Sequence, residues 1–156
     1  SIREPENIGA MSNVAFGSYL SGIQMTVGTC VSAHPLEHAL SAYHEKLPHG
    51  AGLIMISKEY YTHFINKNVC HERFIRMAQA LGLKDADKPM DFITALTQLQ
   101  KECAVDDLKM SEYGIQSSEF MSMAKNARET MGGLFMCDRV PLSDQECAAI
   151  YEKSFK

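Results

Sequence analysis

Apolar residues recur with the helical period along almost all of this 156-residue chain, and this periodicity constrains the fold more than any other feature. No long stretch alternates apolar and polar residues as a half-buried strand would. The short apolar run at residues 53–56 also permits a buried strand. The helical period covers residues 5–25, 26–44, 49–66, 72–81, 90–104, 117–130 and 144–154. The sequence therefore predicts an all-α fold of about seven helices, with one helical domain over residues 1–156.

Proline, glycine and capping residues indicate where several of these helices begin or end. Pro48 is well placed to open the third helix, and Ser143 with Glu146 three residues later forms a capping box for the last one. Pro35 either kinks the second helix or marks its first turn. The glycine pair in residues 131–134 is expected to end the sixth helix.

Composition excludes several classes of function. The net charge of -4 offers no basic surface for nucleic acid or anionic lipid. No apolar run reaches the roughly 18 residues that a membrane span needs. The five cysteines are scattered, odd in number and never arranged as Cys-x-x-Cys. They argue against a disulfide framework and a zinc ribbon, and they predict a cytoplasmic location.

Four of the six histidines lie within residues 34–49. His34 and His38 are four residues apart in a predicted helix, on one stripe with Cys30, so both imidazoles leave the same face. Neutral imidazole is the commonest protein ligand for transition metals. His49 follows a short connection and could return beside that face. The cluster predicts a metal centre or an active site.

The first interpretation of this cluster is a zinc peptidase. The pattern His-x-x-Glu-His would use His34 and His38 as zinc ligands and Glu37 to activate water. Glu112 or Glu119 could supply an acidic third ligand. A proline at the second position fits such a helix poorly, and the chain has no evident strands to hold an extended peptide.

Two longer runs around the histidines favour a second interpretation. Residues 34–43 read His-x-x-Glu-His-Ala-Leu-Ser-Ala-Tyr, and residues 47–53 read Leu-Pro-His-Gly-Ala-Gly-Leu. Together they resemble the second signature of the iron-containing (group III) alcohol dehydrogenases, although the interval from His38 to His49 is one residue longer. The resemblance continues through residues 18–23, 131–135, 142–146 and 150–151, so it covers nearly the whole chain.

The resemblance implies the all-helical C-terminal domain of the dehydroquinate synthase-like and iron alcohol dehydrogenase fold. It implies that His34 and His49 bind a divalent iron, with zinc as an alternative. It also implies that His38 lies beside the nicotinamide and the alcohol as a catalytic and cofactor-binding residue. Spacing alone would instead pair His34 with His38 on the metal.

The implied activity is NAD- or NADP-dependent interconversion of small alcohols with aldehydes or ketones. In the family, two further metal ligands form an Asp-x-x-x-His pair upstream, after an N-terminal nucleotide-binding domain. No Asp-x-x-x-His occurs before His34. We therefore expect the C-terminal two-fifths of an enzyme, inactive alone, that needs this N-terminal domain and forms a homo-oligomer. The alternative is a free-standing helical module for metal binding or protein interaction.

Overall fold

The computed structural model describes residues 3–156, which form seven α-helices, two short 3-10 helices and no strand. The prediction of an all-α fold with about seven helices is confirmed, whereas the strand alternative at residues 53–56 is wrong. The α-helices are α1 (Ile8–Val27), α2 (Ala33–Tyr43), α3 (His49–Asn66), α4 (His71–Ala80), α5 (Asp91–Glu102), α6 (Phe120–Phe135) and α7 (Asp144–Ser154). The 3-10 helices are Met110–Tyr113 and Ser117–Glu119.

The chain divides into two compact units, of which the first ends at Cys30 and the second is Val31–Lys156. The first unit contains α1, which begins where the Asn7 side chain accepts a hydrogen bond of 2.9 Å from the backbone of Ala10. The predicted single domain over residues 1–156 stays a prediction. Among the described helices, none combines the length and the apolar character that crossing a membrane requires.

Four helices of the second unit form a closed ring. Helix α2 packs against α3 and α6, and α7 also packs against α3 and α6. Fully buried side chains fill the centre of this ring, among them Leu36, Ile56, Met123 and Ile150. Helices α4 and α5 pack against each other, and α5 also contacts α3. The ring holds α2 and α3, the two helices that carry the histidines, side by side.

The start of α2 corrects the sequence prediction. A helix was expected from residue 26, but α1 continues to Val27 and α2 begins only at Ala33. Cys30 therefore lies outside the helix, not on the stripe with the histidines. A long-range contact fixes this break, because the buried Ser32 backbone N–H donates a 3.1 Å hydrogen bond to Asp138. Pro35 lies in the first turn of α2, one of its two predicted positions.

Local signals gave the bounds of α3 and α7 correctly. Pro48 precedes α3 with an extended backbone, and the predicted capping box of α7 is present. In that box the Ser143 side chain accepts from the Glu146 backbone, and the Glu146 carboxylate accepts from the Ser143 backbone N–H at 2.9 Å. The observed bounds of α1, α4 and α5 lie within three residues of the predicted ones.

Helix α6 continues through the glycine pair that was expected to end it. The backbone departs from helical angles at Met131 (φ -134°, ψ 33°), yet the helix resumes and reaches Phe135. Phe135 is buried, and the guanidinium of Arg128 lies 5.4 Å from the centre of its ring. Packing of this last turn outweighs the low helix propensity of the glycines, so the predicted end was wrong.

Candidate metal centre

Three histidines meet where the start of α3 returns beside α2. One ring nitrogen from each of His34, His38 and His49 lies within 4.8 Å of the other two. The ring centres are 5.2 Å apart for His34 and His49, 5.0 Å for His38 and His49, and 6.4 Å for His34 and His38. The structure therefore brings together the three histidines that the sequence singled out.

The connection between α2 and α3 produces this meeting. Helix α2 ends at Tyr43 and is capped by His44, and the Leu47 backbone N–H donates back to the His44 carbonyl at 2.9 Å. The Leu47 side chain is buried, which anchors the connection to the core. Pro48 then directs the chain into α3, whose first residue is His49. The turn is short enough to place His49 beside the face that carries the other two histidines.

The cluster is accessible, and its surroundings favour the neutral form of His34. His34 is half-buried, whereas His38 and His49 are exposed beside it. Burial lowers the pKa of His34, the positive charges of His49 and His38 lower it further, and Glu37 partly opposes them. A lowered pKa leaves more of the neutral imidazole, which is the form that binds a metal ion. The donor set therefore fits a divalent transition metal.

A buried carboxylate contacts one of the three histidines. Glu37 is fully buried on α2. One of its carboxylate oxygens accepts a hydrogen bond from Nδ1 of His49, and the other accepts from the Ser41 hydroxyl. The sequence analysis also singled out Glu37, but as a residue that activates water in a zinc peptidase.

The geometry excludes the zinc-peptidase interpretation. Both oxygens of Glu37 are bonded within the protein and hidden from solvent, so they cannot activate water. Glu119 pairs with His44 at 3.1 Å, and Glu112 pairs with Lys109 at 3.5 Å. Neither acid belongs to the metal-binding group found among the described residues.

A second polar network fixes the start of α2, and the sequence analysis missed it. Oδ1 of Asp138 accepts hydrogen bonds from the Ser32 backbone at 3.1 Å and from the Tyr60 hydroxyl at 3.3 Å. Burial raises the pKa of Asp138, and burial also raises the pKa of Tyr60. These partners are 106 and 78 residues from Asp138. No local pattern could have connected them.

The other histidines lie outside the cluster. His44 caps the C-terminal end of α2 and pairs with Glu119. His71 begins α4 and contacts the carbonyl of Ile65 at 3.3 Å. His63 lies almost four turns beyond His49 on α3, packs on Phe64 and lies 3.7 Å from the carboxylate of Glu146. His63 therefore packs within the fold, apart from the three clustered histidines.

Comparison with known proteins gives an independent result. The model of a family described as "Fe-containing alcohol dehydrogenase family, C-terminal" matches residues 1–155. NADH-dependent butanol dehydrogenase A of Clostridium acetobutylicum is 28% identical over 130 residues, covering 80% of this chain and 32% of that enzyme. NADH-dependent butanol dehydrogenase B of the same organism is 25% identical, covering 99% of this chain and 41% of that enzyme. The chain thus spans one-third to two-fifths of the length of these relatives.

The fold is similar to solved alcohol dehydrogenase structures. An archaeal halo-thermophilic alcohol dehydrogenase from a Red Sea brine pool superposes with a TM-score of 0.89 and 25% identity. The superposition covers 99% of this chain and 40% of that one. A 1,3-propanediol oxidoreductase superposes with a TM-score of 0.83 at 21% identity, over 96% of this chain and 39% of that one, which supports the fold alone.

Proposed function

This chain belongs to the Fe-containing alcohol dehydrogenase family, and we propose that it contributes metal ligands to an NAD(P)-linked alcohol dehydrogenase. The observation that supports this most directly is that ring nitrogens of His34, His38 and His49 lie close together at an accessible position on the surface. The proposed reaction interconverts small alcohols with aldehydes or ketones. The relatives named butanol dehydrogenase are consistent with an aliphatic alcohol as substrate.

His34 and His49 are the proposed metal ligands. They come from different helices, and their ring centres lie 5.2 Å apart with the ring planes inclined by 29°. Imidazole nitrogen suits ferrous iron and zinc alike. We propose ferrous iron because of the family, with zinc as the alternative. When bound, the ion supplies Lewis acidity toward the alcohol oxygen, and a nicotinamide cofactor supplies a hydride acceptor.

His38 is the proposed catalytic residue. Its ring is exposed beside His49, with centres 5.0 Å apart, so a substrate hydroxyl can reach it. A neutral imidazole can accept the hydroxyl proton at a ring nitrogen and pass it to solvent. In the same position it can contact the nicotinamide, the second role proposed for it.

The proposed partners lie outside the described residues. Dinucleotide-binding folds are built on parallel strands, and residues 3–156 contain none. We assign NAD or NADP binding to an N-terminal nucleotide-binding domain, which would also complete the metal site. A homo-oligomer remains part of the proposal. The cytoplasm is the proposed location, which the five free cysteines support.

The test is metal content together with alcohol-dependent reduction of NAD and NADP by the complete protein. His34→Ala and His49→Ala should each remove most of the bound metal and the activity. His71→Ala is the matched control, because His71 lies outside the cluster at the start of α4. Unchanged metal content in both ligand variants would refute the proposed site. Stoichiometric metal binding by residues 1–156 alone would instead favour the free-standing module.

A further inference from the structure

The Glu37 carboxylate has no free oxygen. Oε2 faces Nδ1 of His49, and Oε1 faces the hydroxyl of Ser41. An ionised carboxylate can only accept hydrogen bonds. Nδ1 of His49 therefore carries the hydrogen, and the lone pair of the neutral ring lies on Nε2. The contact selects which nitrogen of His49 can bind a metal ion.

Helix α3 is shaped to admit this carboxylate. A Cβ atom added at Gly52 would lie 2.7 Å from both Cγ and Oε1 of Glu37, closer than real side chains approach. Gly52 is buried, one turn after His49. By contrast, a Cβ atom at Gly50 would meet nothing within 4 Å. Of these two glycines in α3, only Gly52 is therefore required for the close approach of α3 to Glu37.

Burying a carboxylate is costly unless its hydrogen bonds are satisfied. A carboxylate hydrogen-bonded to a histidine ligand fixes the tautomer and orientation of the ring and increases its basicity. The peptide carbonyl just before Glu37 is itself held, because Tyr151 donates to the Leu36 oxygen at 2.6 Å. Glu37 on α2 thus contacts His49 of α3, and the hydrogen bond from α7 fixes the backbone just before Glu37.

We infer that Glu37 is the positioning residue of the metal centre: it holds His49 in the tautomer that presents Nε2 to the ion. The inference rests on the proposed metal role of His34 and His49. It gives Glu37 no contact with substrate or water.

The first test compares metal affinity and stability in Glu37 variants of the complete protein. Glu37→Met removes the acceptor at similar volume, and Glu37→Gln retains an amide oxygen that can still accept from His49. We expect Zn²⁺ affinity to fall about 10–100-fold in Glu37→Met, as for other outer-sphere partners, and less in Glu37→Gln. Removing one partner of a buried hydrogen-bonded charge is destabilising, so the melting temperature of Glu37→Met should fall as well. Leu40→Ala, which removes buried volume from α2 and leaves Glu37 and His49 in place, is the control for that loss and should keep its Zn²⁺ affinity. If Glu37 served only the stability of the fold, Zn²⁺ affinity would fall in step with the melting temperature in every variant.

The second test leaves every donor and acceptor in place. Gly52→Ala should displace the Glu37 carboxylate from His49 and weaken Zn²⁺ binding. Gly50→Ala makes the same substitution two residues earlier, where there is open space. It should bind Zn²⁺ as the native protein does. Equal affinities in Gly52→Ala and Gly50→Ala would overturn the inference.

The third test needs no variant. In the native protein loaded with Zn²⁺, the ¹⁵N shifts of His49 should show a protonated Nδ1 and a coordinated Nε2. Coordination through Nδ1 would overturn the inference even if the Glu37 variants failed to fold. If native protein binds Zn²⁺ and His49→Ala does not, but the Glu37 and Gly52 variants match native affinity, only the inference fails. If the native protein binds no metal, the proposed function fails with it.

Discussion

The hydroxyl of Tyr151 in α7 donates a 2.6 Å hydrogen bond to the backbone carbonyl of Leu36 in α2, which lies 115 residues earlier. Both side chains are fully buried, and burial raises the pKa of Tyr151 well above its usual value. The phenol therefore stays protonated as a donor throughout the physiological range. The bond joins α7 to the turn of α2 that carries Glu37.

Loss of this bond should destabilise the fold. Tyr151→Phe retains the ring and removes the donor, so we expect the free energy of unfolding to fall by about 0.5–1.5 kcal/mol. The measurement is urea denaturation followed by circular dichroism. Tyr43→Phe is the control, because Tyr43 at the end of α2 is 45% exposed. An equal change in both variants would mean that the buried bond contributes nothing specific.

The core around α2 should be sensitive to loss of volume. Leu40 is fully buried at the centre of the helical ring, so Leu40→Ala should cost about 2–5 kcal/mol of unfolding free energy. Leu99 on α5 is 42% exposed, and the same substitution there should cost about 1 kcal/mol or less. Chemical denaturation of the two variants measures the difference. Similar costs would contradict the observed position of α2 in the core.

Stability at acid pH should depend on Glu146. Hydrogen bonds from Lys67, at 2.5 Å, and from the Ser143 backbone lower the pKa of Glu146 from 4.5 to about 2. Its folded-state pKa lies below the unfolded one, so its stabilising contribution is complete above pH 4.5 and is lost as the pH falls toward 2. Because the pair is partly exposed, the effect should be small and sensitive to salt.

The measurement is the melting temperature between pH 2 and pH 6. Glu146→Gln should lower stability at the upper end of this range and flatten its decline toward the lower end. Glu152→Gln changes an exposed carboxylate on the same helix and serves as the control. A decline as steep in Glu146→Gln as in the native protein would exclude this carboxylate as a source of acid sensitivity.

The two histidines of α2 should behave differently. His34→Ala should lose the metal ion, whereas His38→Ala should keep it and lose alcohol oxidation. Equilibrium dialysis with Zn²⁺, together with turnover by the complete protein, separates binding from catalysis. If both variants lost the ion equally, all three histidines would be ligands. The closeness of their nitrogens also permits that arrangement.

Local chemistry was sufficient to predict much of the fold. Pro48 fixed the start of α3, and the Ser143–Glu146 box fixed the start of α7, because both signals act within one helical turn. The spacing of His34 and His38 placed both on one face of α2 for the same reason. The short connection after α2 allowed His49 to return beside that face, and the resemblance to a family then paired His49 with His34 as metal ligands.

Other features depended on contacts between distant residues. The break before α2 follows the hydrogen bond from Ser32 to Asp138, and the continuation of α6 follows the burial of Phe135. Ser32 is a residue type that often precedes a helix, but its side chain makes no cap hydrogen bond here. Phe135 carries no local signal that could outweigh the glycine pair at 132–133. Long-range packing therefore decided these helix boundaries against local propensity.

The sequence by itself determined the helical fold, the two helices that carry the histidines and the residue types available for metal binding, because periodicity and spacing are properties of a single helix. The tertiary structure alone decided the surroundings of Glu37. In the sequence it stands beside His38 and matches a water-activating glutamate. In the fold, the approach of α3 at Gly52 buries its carboxylate against His49. Which face of α2 meets α3 is a property of two packed helices, and no single segment encodes it.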